Sequence, residues 1–540
     1  LKARAEGKAD AAVEQHWFDS LSKLLFPADP TLARMARDYL TLDDLISIRD
    51  RMVGTGSIGG KALGMLMARG ILRKESPELH DQLEAHDSFY VGTEVFDTFL
   101  VRNGIWWMRR QQRDPHTFLH QLDEAHARIM RGTFTESTQR QLEGMLDYFG
   151  EWPFIVRSSS RLEDQYGNAF AGQYESVFCV NHGPREQRLE ELLNAIRQVY
   201  ASSLSEKALR YRQRRGLLEA HEQMALLIMR VSGTAGGRYF YPHAAGVGLS
   251  FNPYRWNPKI DMHAGVVRLV AGLGTRAVDR ADDDYTRLIA LNEPELRPET
   301  NFGAIARHAQ RRMDVLDLSG NGVVTGPFAE LSAEDASFPL GLFTTREQPE
   351  RPPFLTFDGL IRNGEFVARM QAILGHLQSA YHHPVEIEFA LNVRPGEPLR
   401  FNLLQCRPMQ VRSVDRRVKA EPPAYVPSLI SARGAVIGPS RVIRPDRIVY
   451  VVPEQYAQLN LADRATIARV IGKINRASTG RSVLLLGPGR WGTRDAWLGI
   501  PVAFADINNV AAICEIVTMH ESLVPDVSLG THFLNELIEA

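Results

Sequence analysis

Two runs near the middle of the chain alternate so strictly that they limit what this region can become. In "VEIEFAL" (Val385 to Leu391) every second residue is apolar, and "LRFNLLQCRPM" (Leu399 to Met409) returns after a short polar gap. Alternation of this kind predicts a β-hairpin with one face on a core. Val385, Ile387, Phe389 and Leu391 then share the inner face, while Glu386 and Glu388 share the other. By the same rule Gln405 and Arg407 lie together on the returning strand. Two carboxylates on one strand face beside an arginine and a glutamine are costly unless something sits between them. A hard cation bridging Glu386 and Glu388 to phosphate oxygens, with Arg407 on the phosphate, resolves that cost. A solvated sheet face with surface ion pairs is the alternative.

A second stretch, "FIVRSSSRLEDQYGNAFAGQYESV" (Phe154 to Val177), asks for the same kind of ligand. A short apolar strand leads into Arg157 and three serines, then a loop carrying Gly167 and Gly172. Hydroxyls, exposed amides and a guanidinium suit an anion, and glycines let it approach the backbone. The structural alternative is a strand, a serine-rich turn and a hairpin. Upstream, "GTGSIGGKA" (Gly54 to Ala62) matches the spacing of a dinucleotide-binding loop. The preceding "LISIRDRMV" is too charged for a buried parallel strand, and Thr55 and Ala62 break the Walker pattern. What remains is Gly59 and Gly60 delivering Lys61 at a helix N-terminus, a place that suits a phosphate.

With 540 residues the chain needs several cores. A net charge of -1 argues against a general nucleic-acid binder, and no apolar segment is long enough to span a membrane as a helix. Cys179, Cys406 and Cys514 are widely spaced and odd in number, so a reduced, cytoplasmic setting is the simplest expectation. None of the sixteen histidines forms a zinc spacing; His382 and His383 read as turn residues. The chain opens on leucine, which fits a piece of a longer protein and leaves room for an upstream domain.

Residues 1–50 read as polar, amphipathic helices, and 185–216 as charged helix. "MALLIMRV", "GVGLSF" and "GVVRLVAG" read as strands, and 291–353 as long surface connections. A linker is expected over 413–428 and a small α/β domain over 429–540. In that last domain a buried strand (Val483 to Leu486) runs into a glycine-rich turn with Arg490, Trp491, Arg494 and Asp495. The turn suits either an anion or substrate pocket or a tight bend on which Trp491 and Trp497 pack.

In order, these pieces resemble the nucleotide-binding domain of the phosphoenolpyruvate synthase and pyruvate phosphate dikinase family. "GGKALGM", "VRSSSRLEDQYGNAFAGQYESV", "GVGLSFNP", "GLGTRAV" and "EIEFAL…LLQCRP" are similar to the family's successive motifs, over about 58–410. The resemblance implies an α/β (α+β) ATP-grasp fold of two subdomains, 51–225 and 226–412. It implies ATP and Mg2+ as cofactors, with Lys61, Arg157, Ser158, Gly172 and Gln173 around the phosphates. Glu386 and Glu388 would hold the metal, Gln405 and Arg407 would line the transfer site, and Arg157 would face the triphosphate with its neighbouring serines. Adenine would lie near Met229 and Val231.

The departures are specific. The family's GLGE glutamate is Thr275 here, and its DIE aspartate is Glu386. The pyruvate-binding barrel and the phosphohistidine motif are not recognisable. His532, in "LGTHF", is the one histidine at a Gly-Thr-His helix start and is carried as a candidate phosphoacceptor. The expected function is therefore an ATP- and Mg2+-dependent phosphotransferase. Its acceptor would be a pyruvate-like small molecule, a histidine or a partner protein. The alternative is an ATP-sensing regulatory module without turnover.

Overall fold

The first described helices cover a core rather than stand apart from it. The computed structural model describes residues 11–27, 29–160, 163, 173–278, 284–297, 299, 302–320, 322–346, 353–394, 396–409, 427, 436–437, 442–493 and 496–516. Ala11–Leu25, Pro30–Tyr39 and Leu42–Asp50 are helical. Asp29 caps the second helix by accepting from Thr31 N and Leu32 N, and Thr41 with Asp44 closes a capping box on the third. Their apolar residues, among them Phe18, Leu32, Met35 and Leu45, join the same core as the central hairpin.

The first sheet has five strands in the order Met52–Val53, Ser88–Val91, Met224–Arg230, Phe154–Ser160, Ser176–Cys179. Its central strand, Met224–Arg230, pairs antiparallel with both neighbours, so an expected division after residue 225 cuts through it. The first subdomain therefore extends at least to Arg230. The segment "LISIRDRMV" ends in a helix followed by only two parallel edge residues, Met52 and Val53. That arrangement cannot supply the buried first strand of a dinucleotide fold.

The second sheet runs Arg287–Ala290, Val266–Ala271, Ala244–Leu249, Val385–Asn392, Arg400–Pro408, antiparallel throughout. Val385, Ile387, Phe389 and Leu391 are buried in the main core, as alternation requires. Between the sheets lies the helix Gly59–Glu75, whose residues from Gly59 to Leu72 are buried except Lys61. A helix apolar nearly all round must be covered on every side. Here one side meets the hairpin so closely that a Cβ on Gly64 would stand 2.2 Å from Cys406 O.

The stretch 291–353, expected as surface connection, instead contributes two strands to a further sheet, in the order Gly322–Pro327, Arg312–Asp317, Tyr239–Tyr241, Thr234–Gly236. Met313 and Val315 alternate into the core while Arg312 faces out, a pattern that charge and proline content conceal.

Beyond Gln410 the expected linker, 413–428, falls outside the described residues except for Pro427. Val436–Ile437 then pairs with Tyr254–Arg255, so the chain returns to the second subdomain before the tail domain begins. The tail is α/β, with parallel strands Arg447–Tyr450, Val483–Pro488 and Ala512–Ile516 and the helix Leu461–Ala477. Among the described residues no helix is long and apolar enough to cross a membrane.

Candidate functional site

The hairpin register sets the first half of the site. Glu386 lies directly opposite Arg407, and Glu388 opposite Gln405. A bulge follows at once: the register slips between Glu388 and Phe389, which leaves Leu404 out of the pairing. Arg407 Nη2 donates to Glu386 Oε1 at 2.8 Å. From the first sheet Arg157 reaches across, its Nη2 bonding Glu388 Oε2 and donating to Gln405 Oε1 at 3.0 Å. Its Nη1 donates to the carbonyl of Leu404 at 3.4 Å. The bulge thus turns a carbonyl toward the arginine.

The second half is Lys61 and what holds it. Gly59 takes φ +79°, and a Cβ there would meet Ser159 O at 1.6 Å, so only glycine lets the helix start against this strand. Ser159 Oγ donates to Ile58 O at 2.8 Å and accepts from Ala62 N at 3.0 Å. One hydroxyl thereby satisfies a helix-terminal amide from outside the helix. Lys61 Nζ then lies 3.6 Å from Glu163 Oε1, and Glu163 also accepts from Ser158 Oγ at 2.9 Å and Ser160 N at 2.7 Å.

The serines are therefore part of the strand, buried, and occupied with protein partners. The serine-rich turn of the structural alternative is not formed, and the hydroxyls expected to face a triphosphate are bonded within the protein. Ser158 acts through Glu163, Ser159 through the lysine helix, and Ser160 through Glu222. Among the described residues of the stretch, Arg157 reaches the hairpin. Glu163 was missed as a site residue; its signal was the acidic pair after the serines, which serine-to-carboxylate bonding requires.

Each cation of the site is matched by a carboxylate: Lys61 with Glu163, Arg157 with Glu388, Arg407 with Glu386. Burial pushes the Glu388 carboxyl up, but the fields of Arg157 and Lys61, the Arg157 hydrogen bond and the field of Arg407 together hold it below the usual glutamate range. Glu388 is thus an anion locked between cations.

Met229 and Val231 lie on and just past the central strand. Met229 sits in the ladder opposite Ser88 and Ile155. Val231 N donates to Pro153 O at 2.9 Å, and its carbonyl accepts from Trp152 Nε1 at 3.0 Å. Its side chain belongs to an apolar cluster with Phe240, Leu273 and Leu316, edged by Trp152, Ile155 and Phe178. Gln173 directly precedes Tyr174 at the entrance to Ser176–Cys179. Gly172 and His532 lie outside the described residues.

Thr275 uses its hydroxyl internally, donating to Asp314 Oδ2 at 2.7 Å, while Arg276 holds Asp314 and Asp284 at 3.3 and 3.0 Å. His383 hydrogen-bonds Met409 O at 2.8 Å and His382 ends a helix at φ 50°, so both are turn residues as expected. In the tail Trp491 is fully buried in the domain's core, and Arg490 Nη2 donates to Tyr285 OH at 3.1 Å. Arg494 and Asp495 lie outside the described residues.

Two sheets thus present a lysine at a helix start and two arginines to a carboxylate pair, in one continuous segment. A comparison with protein-family models matches residues 55–424 to the pyruvate phosphate dikinase AMP/ATP-binding domain. The chain belongs to that family. A comparison with curated proteins gives no match. The mixed α/β unit is thus of the ATP-grasp type, an AMP/ATP-binding domain.

The donor chemistry suits Mg2+ in one particular way. Glu386, Glu388 and the Gln405 amide offer hard oxygens on one face. Among the described residues no group of three His, Cys, Asp or Glu side chains could cage a metal ion. Mg2+ keeps waters and binds through one or two carboxylates plus substrate phosphates, so two glutamates fit it where a caged ion would not.

Proposed function

We propose that the protein is an ATP- and Mg2+-dependent phosphotransferase whose nucleotide phosphates lie between Lys61, Arg157 and Arg407. The observation that carries this reading is the register that sets Glu386 against Arg407 and Glu388 against Gln405, with Arg157 arriving from the other sheet. A set of three cations matched by three carboxylates has no surplus charge to offer a triphosphate. Mg2+ on Glu386 and Glu388 would neutralise phosphate charge and release both guanidiniums toward the phosphate oxygens. Lys61, Arg157 and Arg407 would then orient the triphosphate and stabilise charge on the transferred group, which is most of what phosphoryl-transfer catalysis demands. Gln405 would hold Arg157 in place, and Ser158 would fix Glu163 beside Lys61. The apolar cluster around Val231 and Leu273 would wall the adenine, with Met229 behind it.

Gln173 and Gly172 would border the phosphates, and the acceptor would be a pyruvate-like small molecule, a histidine such as His532, or a partner protein. A reduced, cytoplasmic setting fits the free cysteines. One observation favours a second reading, an ATP sensor without turnover: Thr275, standing where the family has a glutamate, bonds Asp314 instead of facing outward.

Incubation with labelled ATP and Mg2+, with AMP, ADP and acid-labile phosphoprotein separated, tests the proposal. Magnesium-dependent release of AMP or ADP supports the phosphotransferase. Stoichiometric binding with no product in the presence of candidate acceptors supports the sensor.

A further inference from the structure

A second cationic cluster lies in the first subdomain, away from the hairpin and unused by the proposed reaction. Arg109 is 4% exposed, Gln112 0% and Arg212 0%. Neither Nη1 nor Nη2 of Arg109 has a hydrogen-bond partner among the described residues. The same is true of both amide atoms of Gln112, of Arg212 Nη1 and of Arg113 Nε. Arg109 and Gln112 are three residues apart at the end of the helix Trp106–Gln111, hence on one side of it. Arg212 comes from the helix Glu206–Arg214. Arg109 lies within the electrostatic reach of Arg212, Glu222, Tyr174 and Arg113.

Among the described residues the carboxylate within reach of Arg109 and Arg212 is Glu222, and it is already engaged. Its oxygens accept from Ser160 Oγ and from Tyr174 OH at 2.7 Å, and Arg212 Nε stands 3.7 Å away. Arg212 Nη2 is bonded to Ser203 O. Burial lowers the Arg109 pKa to about 9, with Arg212 adding to the shift and Glu222 opposing it. Fully buried guanidinium donors without acceptors are among the costliest groups a fold can carry, and chains retain them where an anion completes them.

We propose that Arg109, Gln112 and Arg212 form a binding site for a phosphate-class oxyanion. Two guanidiniums supply charge-assisted donors suited to its oxygens. Gln112 adds an amide donor, and its carbonyl oxygen accepts from the hydroxyl of a hydrogen phosphate, which leaves no member of the set unpaired. Glu222 joins this site to Ser160, three residues along the strand from Arg157. The site stands independently of the nucleotide reading.

The test is thermal unfolding of the whole chain in sodium phosphate against sodium chloride at matched ionic strength. Wild type, Arg157→Ala, Arg109→Met and Gln112→Leu are compared. Phosphate raises Tm in wild type and in Arg157→Ala, and the rise is lost in Arg109→Met, with apparent affinity down by about tenfold or more. In chloride alone Arg109→Met unfolds at a higher temperature than wild type, because an unpaired buried charge has gone. Gln112→Leu, a neutral change that serves if Arg109→Met does not fold, also lowers the phosphate response. A wild-type protein insensitive to phosphate would overturn the proposal. So would a rise that survives in Arg109→Met and Gln112→Leu but disappears in Arg157→Ala, which would place the ion at the nucleotide site.

Discussion

At the scale of single residues, Arg157 ties the two sheets together and Glu388 answers it. Its guanidinium bonds Glu388, Gln405 and the Leu404 carbonyl, three groups on two neighbouring hairpin positions and the bulge beside them. Arg157→Ala removes a charge-assisted contact worth about 2 kcal/mol, close to thirtyfold in ATP affinity. Adenosine, which carries no phosphate, should bind almost as before. Calorimetric titration of both ligands checks this, and parallel losses would make Arg157 a structural residue only. Glu388 supplies a pH signature. Its carboxyl is held below the ordinary glutamate range in the folded protein, so its contribution to stability is present above the unfolded pKa of about 4.3. That contribution disappears as pH falls through the lower folded value, because the unfolded chain takes up the proton first. Urea midpoints measured from neutral pH downward should fall less steeply below about pH 4.3 in Glu388→Gln than in wild type. Identical acid limbs would show that the Arg157 pair contributes nothing.

At the scale of elements, the lysine helix is positioned by its contacts with one strand. Gly59 and Gly60 touch the backbone of Ser159 and Glu163, and Ser159 caps Ala62 N. Ser159→Ala strands two buried polar groups and should cost about 1–3 kcal/mol of stability while Lys61 keeps its place. Gly59→Ala, at φ +79° and against a carbonyl, forces the helix start to move; ATP affinity should fall along with stability. Denaturant unfolding and ATP titration of the two variants separate these outcomes. The contrast also explains what could be read in advance. The hairpin and the residues on each of its faces were legible because one face is apolar and the other charged, while the facing pairs come from the register of the two strands. The serines were not, because a serine inside a buried strand and a serine in a turn look alike until a carboxylate partner is in view. Arg312–Asp317 was hidden for a similar reason: Asp314 is matched by Arg276 and Thr275 from outside the strand, partners that the local sequence does not show. The expected division at 225 cuts this strand because its first six residues, Met224–Met229, are apolar, as in a central strand, and carry no mark of which sheet they join.

At the scale of the whole molecule, the lysine helix lies between two sheets, and the nucleotide's proposed seat is where their polar edges meet. The family resemblance was legible because its motifs fall on those edges, over a span that the family match extends to 55–424. The tail carried no such motif, and its turn proves to be built around the buried Trp491, with Arg490 turned to Tyr285 of the second subdomain. The central claim is that Glu386 and Glu388 would hold Mg2+ and so leave Arg157 and Arg407 free for phosphate. The most direct measurement is ATP affinity by calorimetry with saturating Mg2+ and with chelator, in wild type and in Glu388→Gln. Wild type should bind ATP at least about tenfold more tightly with Mg2+. In Glu388→Gln the metal-free affinity should rise, because Arg157 is released, while the Mg2+-loaded affinity falls, so the two converge. A variant that keeps the full magnesium dependence, or a wild-type protein that shows none, would contradict the account.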